Sequence, residues 1–171
     1  MSQVNATNSL SQIMADIDLG PTGSVQFMFA KLQLAQSQIC KNQAESYMSQ
    51  IEQIQDEQKK CAEMIEMARE LQNKAKEGDC CTTMPAEMKA FYEERGLSWD
   101  TAGNNDDLHT ADEWDYNLKS LTNYQEQIGN KTQTLMVYLQ DFIGQYNSYL
   151  QGANTQISNA NQTLTNIARG Q

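Results

Sequence analysis

Counted in alternating steps of four and three, positions 114 to 149 carry Trp114, Leu118, Leu121, Gln125, Ile128, Thr132, Leu135, Leu139, Phe142, Tyr146 and Tyr149, nine of eleven apolar or aromatic. That is the period of a coiled-coil seam. After Leu150 the phase slips by one residue and continues through Ala153, Ile157, Ala160, Leu164 and Ile167. It reads as a stutter that locally unwinds a supercoil. Thr110 and Glu113 form a capping box that opens this helix. The pattern predicts a long helix over 110–169, in which Gly129, Gly144 and Gly152 lower rigidity without breaking it. Upstream, Tyr47, Ile51, Ile54, Cys61, Ile65, Ala68 and Ala75 follow the same spacing, interrupted by Gln58 and Gln72. From Ser24 to Glu77 there is neither Gly nor Pro over 54 residues, and Gly78 follows Lys74 and Lys76 as a C-cap. A first long helix is predicted over 22–78. At 1.5 Å per residue such a helix would be roughly 80 Å long, against a diameter of roughly 40 Å for a compact domain of this size. The expected fold is all-α: an elongated antiparallel helical hairpin, an intramolecular coiled coil, with a small insert at its tip.

The insert spans 79–109. Pro85 opens a short helix from Ala86 to Arg95 that Gly96 ends, and a polar loop follows from Asp100 to Asp107. Residues 1–21 read as a flexible leader with Leu10, Ile13, Met14 and Ile17 at helical spacing, closed by Gly20 and Pro21.

A two-helix hairpin covers one stripe of each helix, and both helices carry more. Val25, Met28, Phe29, Leu32, Ala35 and Ile39 gather as one ordinary core stripe, while Phe27 and Leu34 lie toward the opposite side. Val137 points away from the stripe of Leu135, Leu139, Phe142 and Tyr146, with Met136 on its flank. Surplus apolar faces of this kind mark association sites. Charge sharpens the picture, because 18 of the 22 acids fall between Glu45 and Asp115, whereas Phe142 to Gln171 holds one charged residue, Arg169. Identical subunits bring like charges together, so a self-packing surface is expected to be apolar, amide-rich and poor in charge. The candidate coiled-coil or polymer interface is therefore Val25, Phe27, Met28, Phe29, Leu32, Leu34, Ile39, Leu135, Leu139, Phe142, Tyr146, Tyr149, Ile157, Leu164 and Ile167, and the candidate partner is a second copy in a helical homopolymer.

Composition narrows the alternatives. With 171 residues, a net charge of −10, 39% hydrophobic residues and 35 Gln plus Asn, the chain is acidic, hydrophilic and built around a thin core. Nucleic-acid binding, which needs clustered Lys and Arg, is not expected. No run is apolar enough for a transmembrane helix, so direct membrane insertion is not expected either. The N-terminus lacks the basic and apolar regions of a Sec signal peptide. Cys40, Cys61, Cys80 and Cys81 lack paired CxxC spacing and read as reduced thiols with no metal. The single histidine, His109, sits beside Asp106, Asp107 and Asp112 and reads as a surface residue of a solvated loop. No EF-hand order, phosphate loop or nucleophile motif occurs, and no enzymatic activity or cofactor is expected. Trp99 and Trp114 are expected to pack together or against the hairpin tip, with Met64, Met67, Met84 and Met88 as adaptable filler.

Three segments resemble the EspA/SseB family of type III secretion filament and translocator subunits. They are Phe27 to Ala30 followed by Ala35-Gln36-Ser37, the stretch Met84 to Tyr92 with its proline-initiated helix, and the amide-rich helix from Asn154 to Ala168. The resemblance implies a secreted subunit that polymerises into a hollow surface filament extending the secretion needle, at the bacterial cell surface, and that delivers proteins to host cells. It also implies contact with needle and translocator components, and a dedicated cytosolic secretion chaperone that covers the terminal helices before export. The uncharged first dozen residues are similar to a type III export signal. The chain departs from that pattern in being short, partly in its insert, and in carrying four cysteines. A needle-tip protein of the same apparatus, and a cytosolic coiled-coil adaptor or chaperone binding one partner helix, are the alternative expectations; the short insert disfavours the tip role.

Overall fold

The computed structural model describes residues 10–18, 25–101 and 107–170. Residues 1–9 and 19–21 of the leader read over 1–21, its Gly-Pro closure at 20–21 included, and most of the polar loop, 102–106, lie outside them. The elements in chain order are α1 (Leu10–Asp16), α2 (Val25–Lys74), a π-helical turn (Ala75–Asp79), β1 (Thr82–Thr83), α3 (Ala86–Arg95), β2 (Leu108–His109) and α4 (Ala111–Ala168). The fold is all-α, with α2 and α4 packed antiparallel and a small insert between them in the chain. Contacts divide it into two compact units: Met1–Gln50 with Leu135–Gln171, and Ile51–Thr134.

The second unit, Ile51–Thr134, holds the larger core. Cys61, Ile65 and Ala68 of α2 meet Trp114, Leu121 and Ile128 of α4, and the insert adds Met84, Met88, Phe91 and Tyr92. Bulky side chains at seam positions explain why the pattern was readable here, since each buries a large apolar area. Gln72, which breaks the hydrophobic rhythm, is buried and donates its amide to the Ala111 carbonyl at 3.1 Å and to the Asp115 carboxylate. A polar residue at a seam position is thus satisfied across the helix pair. The expected capping box is present: the Thr110 amide donates to Glu113 Oε2 at 2.7 Å, and the Glu113 amide to Thr110 Oγ1 at 3.4 Å.

Regular α-geometry in α2 ends at Lys74 rather than at Gly78. The chain then widens into the π-turn, where Gly78 adopts φ +145°, and Cys80 follows at φ +62°. The insert contains more than its single expected helix, because Thr82 pairs with His109 and Thr83 with Leu108 as antiparallel strands. This pairing corrects the reading of His109. It is buried, with its ring edge-on to Trp114 at 5.1 Å, because the strand register turns it inward. Trp114 in turn donates its indole N–H to Thr82 Oγ1 at 2.8 Å. Both tryptophans pack into the core at the insert, as expected, with Trp99 against Tyr92 at 5.7 Å.

A polar clamp ties α3 to the long helices. Arg95 makes a two-pronged contact with Glu57, through Nε and through Nη2 at 2.9 Å, and its guanidinium lies 3.8 Å over the Phe91 ring. Tyr124 donates its hydroxyl to the same Glu57 carboxylate at 3.0 Å. The Arg95 hydrogen bonds hold the Glu57 carboxyl below its usual range, and burial, followed by the Glu57 hydrogen bond, pushes the Tyr124 phenol up. Tyr92 donates to the Asn117 carbonyl at 2.7 Å and closes the other side of α3.

Candidate functional site

The first unit carries the face that sequence singled out. Its seam runs opposite to the bulky residues of early α2. Continuing the heptad of Tyr47 and Ile51 backward places Ala30, Gln33, Ser37, Cys40 and Ala44 at the core positions, conventionally a and d. Ala30, Ser37, Cys40 and Ala44 are buried, while Val25, Met28 and Phe29 are exposed, Val25 by 68%. This overturns the expected core stripe of Val25, Met28, Phe29, Leu32, Ala35 and Ile39. Leu32 and Ile39 are half-buried, and only Ala35 of that set is buried. The physical reason is register: α2 cannot rotate part-way along its length without breaking its hydrogen-bond ladder, so the phase set by Tyr47 and Ile51 decides which side faces α4.

Small residues in that seam permit close approach. Gly152 lies so near Gln33 that a Cβ there would meet the Gln33 amide at 2.7 Å. The Cys40 thiol points at Gln145 Oε1 at 3.8 Å, and the Ser37 hydroxyl donates back to the Leu34 carbonyl at 2.7 Å. Burial, followed by the nearby Asp141 charge, raises the Cys40 thiol above its ordinary value. Further along, Tyr47 stacks on Phe142 at 5.6 Å and tilts against Tyr138 at 5.8 Å.

On α4, Leu135 is buried, and Leu139, Phe142, Tyr146, Tyr149 and Ile157 are half-buried. Leu164 and Ile167 are exposed, by 54% and 67%. On α2, Phe27 and Leu34 are half-buried. Thirteen large apolar side chains among the described residues are exposed, and eleven belong to this unit; Leu108 and Tyr116 alone belong to the other. Sequence reasoning missed Met48 and Ile143, which with Ala44 and Tyr146 line an open groove of about 310 Å³ between Lys41, Glu45 and Asn147. The signal was present: Met136, Ile143 and Leu150 each follow a seam residue by one, at a spacing of seven.

Among the described residues no three or more His, Cys, Asp or Glu side chains come together in a way that could hold a metal ion, and no helix is long and apolar enough to cross a membrane. The fold is an antiparallel helical hairpin with coiled-coil-like packing, and its exposed large apolar side chains concentrate in the first unit. No protein-family model matches the chain, and no curated protein or solved structure is significantly similar to it.

Proposed function

We propose that this chain is a self-polymerising structural subunit of a type III secretion surface filament, exported through that system and assembled as a conduit toward host cells. The observation that carries this reading is the concentration of exposed apolar side chains in the unit built from the two ends of the chain. The same unit holds the segment from Phe142 onward, whose single charge is Arg169. An acidic protein repels its own copies. Self-association is least opposed where acids are absent and amides can pair with amides. The resemblance of the Phe27, Met84 and Asn154 segments to filament subunits supports the secretion context. A cytosolic chaperone that covers the terminal helices fits the need to keep such a surface from associating before export.

Negative-stain electron microscopy of the purified full-length protein, concentrated without a chaperone, tests the reading. Uniform long filaments are expected. A species that stays monomeric or dimeric at high concentration would overturn it and favour an adaptor that binds one partner helix.

A further inference from the structure

Val25, Met28, Phe29, Val137 and Tyr138 are exposed elsewhere on the first unit, but a separate aliphatic row borders one edge of its seam, and the two halves of that row suggest a specific contact. In heptad letters, α2 places Phe27, Leu34, Lys41 and Met48 at e, and α4 places Met136, Ile143, Leu150, Ile157 and Leu164 at e, with Leu139, Tyr146, Ala153, Ala160 and Ile167 at a. In an antiparallel pair the e positions of both helices border the same edge of the seam. The groove confirms the arrangement, since Lys41, Ala44 and Met48 of α2 face Ile143 and Tyr146 of α4 across it. On the other edge, Cys40 meets Gln145 and Gln33 meets Gly152, both g positions of α4. One edge is therefore aliphatic, while the other carries amides together with the aromatic rings of Phe29 and Tyr138. The corresponding e positions of the second unit are Gln55, Ala62, Arg69, Asp115, Thr122 and Gly129, so the aliphatic edge belongs to the first unit alone.

An a, d and e stripe is what a helix needs in a bundle of three or more. Among the described residues no third neighbour covers Met48, Met136 and Ile143, whose exposures are 50%, 47% and 43%. The same unit also has a helix end without a neighbour among the described residues. Taking Cys40 opposite Gln145 and Gln33 opposite Gly152, the start of α2 at Val25 falls opposite Ala160. Residues 161–168 of α4 then extend past α2, all exposed, for about 12 Å. This tip presents Leu164 and Ile167, which continue the same a and e rows, and its charge is Arg169 with no acid. The groove spans about one heptad, roughly 10 Å, and its rim carries Lys41 and Glu45, an i,i+4 ion pair at 3.8 Å with no net charge.

We propose that the tip of α4 in one copy, through Leu164 and Ile167, seats in the Met48, Ile143 and Tyr146 groove of a second copy. The length match, the aliphatic character, and a rim of no net charge facing a tip without acids favour a copy of this chain as the occupant. A heteromeric partner helix would be selected by charges beside its seam, and the tip and groove together offer few. Because tip and groove are different surfaces, the contact is heterologous. Such a contact repeats without closing unless its rotation completes a ring. It rests on the filament reading and specifies the joint between subunits.

Two variants test it. Ile167→Asp spoils the tip, and Met48→Asp with Ile143→Asp spoils the groove; all three side chains are substantially exposed, so the helical content by circular dichroism should hold. Should the double Asp variant lose helix, Met48→Ser with Ile143→Ser takes its place. Each variant alone is expected to associate at least about tenfold more weakly than the unmodified protein. Mixed in equal amounts, they should form a 1:1 complex by light scattering, because the intact tip of one meets the intact groove of the other. Assembly of either variant as strong as that of the unmodified chain, or a mixture that stays monomeric, would overturn the joint while leaving the filament reading in place. An unmodified chain that does not assemble would overturn both.

Discussion

Arg95→Ala measures how firmly the insert is fastened to the long helices. The substitution removes two hydrogen bonds to Glu57 and the stacking of the guanidinium over Phe91 at 3.8 Å. Hydrogen bonds to a charged group contribute about 1.5–3 kcal/mol, and a partly desolvated cation over an aromatic ring about 1 kcal/mol. Solvent reduces both, because the Arg95 and Glu57 side chains are 15% and 24% exposed. Glu57 also keeps the Tyr124 hydroxyl, which limits the cost of stranding its carboxylate. The expected loss is about 2 kcal/mol for Arg95→Ala and about 1 kcal/mol for Arg95→Lys, which keeps the charge but not the fork. Both tryptophans, Trp99 and Trp114, lie in the unit Ile51–Thr134, so tryptophan fluorescence in a urea titration reports on that unit. A cycle with Glu57→Gln should show coupling of at least about 1 kcal/mol. If Arg95→Ala changes stability by less than about 0.5 kcal/mol and the double variant is additive, the clamp is a surface contact and the reasoning fails.

Other consequences follow from the same cores. Glu57 titrates lower in the folded protein than the usual glutamate near 4.3. Its contribution is therefore present above that value and lost as pH falls through the folded value, where the unfolded chain binds the proton more readily; Glu57→Gln should flatten the acid side of the stability curve measured by urea titration. Burial, reinforced by the Glu57 charge, pushes the Cys61 thiol up to about 11, so iodoacetamide at pH 8 should modify exposed Cys80 in the native protein and Cys61 only after unfolding, as peptide mass spectrometry would show. Trp114→Phe removes the indole hydrogen bond to Thr82 and part of a fully buried side chain; a loss of about 2 kcal/mol is expected by circular dichroism, and a change below about 0.5 kcal/mol would count against Trp114 as the centre of that core.

Much of this fold was legible because its long elements advertise themselves. The breaker-free run before Gly78, the capping box at Thr110 and the Pro85 to Gly96 frame marked α2, α3 and α4 by local chemistry alone. The seam of the second unit was legible because Ile65, Trp114, Leu121 and Ile128 are bulky and apolar. Early α2 misled for the converse reason. Ala30, Gln33, Ser37 and Cys40 carry little hydrophobic signal, yet they face α4 because the phase of a continuous helix is set elsewhere. His109 was misread because its environment depends on pairing with Thr82, a partner 27 positions away in the chain. The phase change after Leu150 is better described by overlapping rows: Tyr146, Ala153 and Ala160 serve the α2 seam, while Ile143, Leu150, Ile157 and Leu164 form the edge beside it. All fifteen candidate interface residues lie in the first unit, but the groove at Met48 and Ile143 emerged only when two helices were placed side by side.

Static light scattering over a range of protein concentrations, repeated at low and high salt, addresses self-association through an apolar, charge-poor surface most directly. A chain of net charge −10 repels its copies, and salt screens that repulsion while leaving apolar contacts in place. The mass is predicted to rise with concentration and to rise further at 0.5 M salt, about five times the ionic strength at which the screening length is about 10 Å. A monomer at every concentration, or assemblies that dissolve as salt is added, would contradict it.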